Sequence, residues 1–204
     1  MRRFFNTTGP CDPAAHYMLP AEGRLEGLDL LVERNQYFVV HAARQTGKTT
    51  AMRAFAARLR GEGVAAVFAT VERSQGTEEV ALAEAQWTDA IAGQARAQLP
   101  PAQHPPSVPE VSPGLRLSSW LADWCAALAP ARLVLFLDEA DVLAGAPLVS
   151  LLRQLRAGFP ERPSRFPASV GLVGMRDLRD YLVTAKDGHT VNPGSPLNVK
   201  AESI

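Results

Sequence analysis

Ala42-Ala-Arg-Gln-Thr-Gly-Lys-Thr49, with Thr50 directly behind it, is the stretch that decides the fold. It follows the Walker A pattern: Ala or Gly, four free positions, Gly-Lys, then Ser or Thr. Alanine stands here where glycine is more common. Between a strand and a helix, such a loop turns successive backbone N–H groups inward and makes an anion cradle at the helix N-terminus. Gly47 lets the backbone come close to phosphates. Lys48 has the reach to neutralise the β- and γ-phosphates, and the Thr49 hydroxyl suits Mg²⁺. The flanks agree. Tyr37-Phe-Val-Val-His41 reads as a buried strand, and from Thr49 to about Arg60 the pattern is helical, with Met52, Phe55, Ala56 and Leu59 on one face.

A second signal lies ninety residues on from Lys48. Leu133-Val-Leu-Phe-Leu-Asp-Glu139 is an apolar run closed by two acids, the Walker B pattern. Carboxylates at the carboxyl end of a buried strand stand where open α/β sheets bind ligands. Asp138 can hold Mg²⁺ opposite Thr49, directly or through water, and Glu139 can orient and deprotonate a water. Alone, an acidic pair here is also what ends many strands and caps the next turn. Together with the first motif it gains force.

Between and around these motifs, strands and helices alternate. Val64–Thr70 and Ser169–Gly174 read as strands, and Leu197–Ser203 as a further one at the end of the chain. Helices are expected over 21–34, with Leu25, Leu28, Leu30 and Leu31 facing inward, over 77–98 with Thr77 as N-cap, over 114–129 and over 147–159. In the third of these, Leu117, Trp120, Leu121, Trp124, Cys125 and Leu128 form one stripe, so the tryptophans are read as core. Six prolines between Pro100 and Pro113 exclude helix and central strand, and leave a surface loop or insertion. The alternation predicts a parallel sheet covered by helices on both faces, an α/β fold.

Composition narrows the classes. The chain has 204 residues, 21 basic against 21 acidic side chains, and only three lysines, Lys48, Lys186 and Lys200. A polybasic nucleic-acid binder is not supported. The acidic excess at 61–130, eight acids to three bases, reads as a solvated helix face. Cys11 and Cys125 have no metal-like spacing. No apolar run approaches a membrane span and no leader is visible, so a cytoplasmic protein is expected.

The chain resembles AAA-type and STAND-like P-loop ATPases of bacteria. The residues that carry the resemblance are Arg-Gln-Thr-Gly-Lys-Thr-Thr (44–50), Leu-Asp-Glu-Ala-Asp (137–141) and Gly-Met-Arg-Asp-Leu-Arg-Asp-Tyr (174–181), with Asn6–Tyr17 and Ser195–Lys200 also similar. It implies a three-layer α/β/α sandwich with a mostly parallel five-stranded sheet in the order 5-1-4-3-2. It further implies ATP and Mg²⁺ as ligands and a conformational switch set by nucleotide state. Ala43, Arg44, Gln45, Thr46, Gly47, Lys48, Thr49 and Thr50 would hold the nucleotide, and Thr49 and Asp138 the metal. Glu139, Lys48 and Arg176 would carry the chemistry. Arg176 is equally readable as an ion-pair partner of Asp177 or Asp180. Residues 1–35 would lie beside the nucleotide and 36–204 form the core, with the proline-rich insertion at about 100–113. Tyr17 would either stack on the base or sit in the core. Such proteins generally continue into a helical lid, and this chain stops near the fifth strand. The chain is therefore read as a truncated product, an excised domain, or a core whose lid or arginine finger comes from a second copy or a partner protein.

Two other readings compete. One is a nucleotide-gated switch or assembly module with negligible hydrolysis. The other is a P-loop small-molecule kinase, disfavoured because Asp-Glu after the strand suits water activation. A GTPase lacks its Asn-Lys-x-Asp signature here.

Overall fold

Four apolar strands, buried along nearly their whole length, build the sheet. The computed structural model describes residues 3–6, 12, 14–17, 27–43 and 46–174, with the backbone of short strands at 183–184, 190–191 and 200–203. β1 is Tyr37–His41, β2 Ala65–Thr70, β3 Leu133–Asp138 and β4 Ser169–Gly174. Two short strands, β5 (Val183–Thr184) and β6 (Thr190–Val191), pair antiparallel by themselves, and β7 is Lys200–Ser203. The main sheet runs β2-β3-β4-β1-β7 with every neighbouring pair parallel. Read from the other edge, this is the expected 5-1-4-3-2 order. Of the expected last strand, 197–199 lie outside the described residues.

Successive side chains point to opposite faces, and both faces are covered. Phe38, Val40, Phe68, Phe136 and Val173 face α1 (Leu28–Glu33) and α2 (Lys48–Gly61), where Met52, Phe55, Ala56 and Leu59 close that half of the core. Tyr37, Val39, Val67, Leu135 and Leu172 face α3 (Val80–Gln98), α4 (Arg116–Leu128) and α5 (Gly145–Gly158). The α4 stripe is buried at all six predicted positions.

Two helix starts differ from expectation. α1 begins at Leu28, behind Gly27 at φ 94°, and its apolar stripe is Leu28, Leu31 and Val32; Leu30 is 44% exposed. A helix this short offers one narrow stripe, and Leu30 lies about 200° round from Leu28. Residues 21–26, Leu25 among them, are outside the described set. α3 begins at Val80, not at Thr77. The chain leaves β2 through a 3₁₀ turn, Glu72–Ser74, and the Thr77 hydroxyl bonds Gln86 Oε1 at 3.2 Å, so it does not cap the helix.

The proline-rich stretch is irregular apart from a 3₁₀ turn at Pro101–Gln103, as its composition requires. It is pinned to α4, because the buried indoles use its carbonyls. Trp124 Nε1 donates to Gln103 O at 3.0 Å and Trp120 Nε1 to Pro106 O at 2.9 Å. Its far end is held by Glu84 of α3, which is fully buried and accepts from Gly114 N at 3.1 and 3.0 Å and from Gln154 Nε2 of α5. Glu84 is the exception in the acidic segment; the other seven acids there are exposed. Cys125 is packed in the same half, and burial pushes its thiol up to about 12, so it is unreactive filling. No helix among the described residues is long and apolar enough to cross a membrane.

Candidate functional site

β1, β3 and β4 end at one rim of the sheet, and the two motifs meet there. α2 starts at Lys48 directly behind Gly47, whose φ of 88° is a left-handed conformation that residues with a Cβ adopt at a cost. No side-chain hydrogen bond caps the α2 N-terminus, where the helix dipole favours an anion. The Thr46 hydroxyl donates to Ala43 O at 2.9 Å and tightens the loop. Lys48 Nζ donates to Ala42 O at 2.6 Å and Ala43 O at 2.9 Å, holding the ammonium over the loop it belongs to. Thr50 follows in the first turn of α2. Arg44, Gln45 and Arg176 lie outside the described residues.

From the other motif, Asp138 ends β3 at 5% exposure, and its Oδ2 accepts from Thr49 Oγ1 at 2.8 Å. Two hard oxygens that are 89 positions apart in sequence are thereby in contact. Burial pushes the Asp138 carboxyl up, opposed by the Thr49 bond, the Glu139 N–H and the charges of Lys48 and Arg53. Glu139 is one of two described non-glycine residues at positive φ, 57°. That backbone is uncommon for a residue with a Cβ and strained relative to right-handed alternatives. Its carboxyl is likewise pushed up, first by burial and then by Asp138, Asp141 and Glu72, with Lys48 opposing.

Three features of this rim were not singled out from sequence. Asp141, two residues past Glu139, lies against Gly174 at the end of β4. A Cβ on Gly174 would sit 2.7 Å from Asp141 Oδ1, so only glycine leaves room. Gly174 O in turn accepts from Ala42 N at 3.4 Å, tying the phosphate loop to β4. Glu72 adds negative field from the turn after β2, where Thr70 is in register with Asp138. The repeated acids of Asp-Glu-Ala-Asp were the available signal for Asp141. Glu72 had none, since its place depends on β2 lying beside β3.

The likeness to known proteins follows the same lines. A model of the AAA domain family matches residues 32–182, three-quarters of the chain. The chain belongs to the AAA domain family. No curated protein sequence matches it. Among solved structures, Cdc6p from Pyrobaculum aerophilum is 17% identical, over 90% of this chain and 45% of that one, with a TM-score of 0.53. Drosophila ORC bound to poly(dA/dT) DNA and Cdc6 is 14% identical, over 90% and 28%, at 0.56. The Walker-type ATPase paby2304 of Pyrococcus abyssi is 14% identical, over 83% and 48%, at 0.54. These identities speak for the fold alone, and the chain spans less than half the length of each. The fold is that of the P-loop ATPases.

Membership of the AAA family implies nucleotide binding and, typically, Mg²⁺. The donor set of this AAA domain fits that ion. Thr49 and Asp138 offer a hydroxyl and a carboxylate oxygen at one point, the hard ligands Mg²⁺ takes when phosphates and water complete its shell. Among the described residues no group of three or more His, Cys, Asp or Glu could hold a metal unaided.

Proposed function

We propose that the chain is a Mg²⁺-dependent ATP hydrolase whose nucleotide state drives a conformational switch. The observation that carries this reading is the 2.8 Å contact between Thr49 and Asp138, with Lys48 and Glu139 on the same rim. The α2 N-terminus, the backbone of residues 43–50 and the Lys48 ammonium bind the triphosphate; on binding, Lys48 exchanges two carbonyl partners for phosphate oxygens. Thr49 and Asp138 would hold Mg²⁺, which would neutralise charge on the phosphates. Glu139 orients a water and takes its proton as the water oxygen bonds to the γ-phosphorus and the bond to the β–γ bridging oxygen breaks, releasing ADP and phosphate. Burial and neighbouring acids hold the Glu139 carboxyl above the usual range, which strengthens it as a base. Arg176 is proposed as the γ-phosphate sensor. A second copy or partner protein supplies further cationic groups.

The test pairs two variants. Lys48→Ala abolishes the thermal stabilisation given by ATP and Mg²⁺, whereas Glu139→Gln keeps it and slows phosphate release by roughly 10²–10⁴-fold. Equal ATP binding by wild type and Lys48→Ala overturns the reading. Tight binding with phosphate release no faster than Glu139→Gln converts it to a nucleotide-gated switch without turnover.

A further inference from the structure

β2 ends the sheet, and an end strand ordinarily presents a row of unpaired backbone groups to any other strand. Its sequence, Ala65-Ala-Val-Phe-Ala-Thr70, is uncharged and free of glycine and proline, so nothing on the strand itself repels an incoming chain. Yet the outer groups of Ala66 and Phe68 are taken. Phe68 N donates to Gln98 Oε1 at 3.0 Å, and Phe68 O accepts from Gln98 Nε2 at 2.7 Å. The Gln98 carboxamide thus fills the place of a peptide group in a sixth strand. Ala66 O accepts from Arg60 Nη1 at 2.9 Å, and Ala66 N turns back to Val64 O at 2.9 Å. Arg60 also donates to Gln98 Oε1 at 3.2 Å, and Gln98 Nε2 donates to Gln94 Oε1 at 2.8 Å, so the carboxamide is braced on both sides.

The two side chains arrive from opposite faces. Arg60 is in the last turn of α2 and Gln98 ends α3, and both helices finish at the same edge of the sheet. We infer that Arg60 and Gln98 are a side-chain lock on the β2 edge, and that the partner this edge fits when unlocked is β2 of a second copy. In an antiparallel pair, two facing residues exchange both N–H···O bonds. A two-fold pairing centred on Phe68 lets each Phe68 give its partner the same two bonds it now gives Gln98. No other sequence is needed, because the strand is its own complement under a two-fold axis.

Gln98→Ala removes both bonds at once. Its Phe68 amide exchanges with solvent at least about tenfold faster in dilute solution, and its sedimentation mass doubles as concentration rises, while wild type remains at the lower mass. Gln98→Lys removes the same carboxamide but sets a charge on the edge, and stays at the lower mass. A folded Gln98→Ala that never associates, or a Gln98→Lys that associates as readily, overturns the inference. Should the alanine variant fail to fold, wild-type exchange decides. Phe68 N–H as slow as the interior Leu135 amide upholds the lock, and exchange at the rate of an open edge overturns it.

Discussion

The rim that carries Lys48, Thr49, Asp138 and Glu139 and the helical half that carries Trp120, Trp124 and Glu84 treat buried charge in opposite ways. Glu84 is fully buried and sits among N–H donors: Gly114 N, and Gln154 Nε2, whose own Oε1 accepts from Ser118 N at 3.0 Å. Each partner is spent on a structural bond, and the network fastens α3, α4, α5 and the proline-rich loop to one another. At the rim, Asp138 takes the Thr49 hydroxyl, Glu139 adjoins it, the Lys48 ammonium is turned toward its own loop, and Asp141 and Glu72 add negative charge nearby. That arrangement costs stability, and under the proposed function these groups exchange their partners for phosphate and metal.

Three changes break or sharpen this contrast. The largest effect falls on the structural half. Glu84→Leu strips Gly114 N and Gln154 Nε2 of their buried acceptor and lowers unfolding free energy by about 3 kcal/mol, the cost of orphaned buried donors. In denaturant melts the variant is clearly weaker, yet whatever fraction is folded binds nucleotide as wild type does. Loss of affinity in step with loss of stability would show that the two regions are not separable. At the rim the sign reverses. Glu139→Gly relieves the left-handed strain at φ 57° and raises apo stability by about 1 kcal/mol, while turnover is lost. A destabilised glycine variant would mean that the Glu139 side chain contributes more than its backbone costs.

The smallest effect is a slope. The Asp138 and Glu139 carboxyls are both raised in the folded protein, so the folded state binds protons that the unfolded state has already released. Stability contributed by their protonated forms is full below the ordinary carboxylate range and is lost as pH climbs through the raised values. The double variant Asp138→Asn, Glu139→Gln lacks this component. Melts from mildly acidic to neutral pH fall less steeply for the variant than for wild type, and parallel curves would contradict the shifts.

Much of the fold was legible because its signals are local. β1, β3 and β4 are short apolar runs buried on both faces, and the α4 stripe repeats with helical period, so each declares itself within a few residues. The Walker residues were legible for the same reason, since a cradle needs Gly-Lys-Thr in immediate succession. What the sequence withheld depends on contacts between distant segments. Thr77 looks like a cap until Gln86 takes its hydroxyl. Gln98 reads as one more polar residue at a helix end until β2 runs alongside it. The proline-rich stretch declares only what it is not; its bonds to Trp120 and Trp124 need the third dimension. Gly174 is a plain strand glycine until Asp141 crosses over it.

The placing of the aromatic residues has an optical consequence. The chain has three tryptophans, Trp87, Trp120 and Trp124, all fully buried on the α3–α5 side of the sheet, and none is on the rim of Lys48 and Asp138. Intrinsic emission therefore reports the integrity of that half. It stays nearly flat during a nucleotide titration and shifts sharply to the red when the helices come apart. A single tryptophan substituted for exposed Phe5 or Tyr17 would add a second, separable colour from the N-terminal segment.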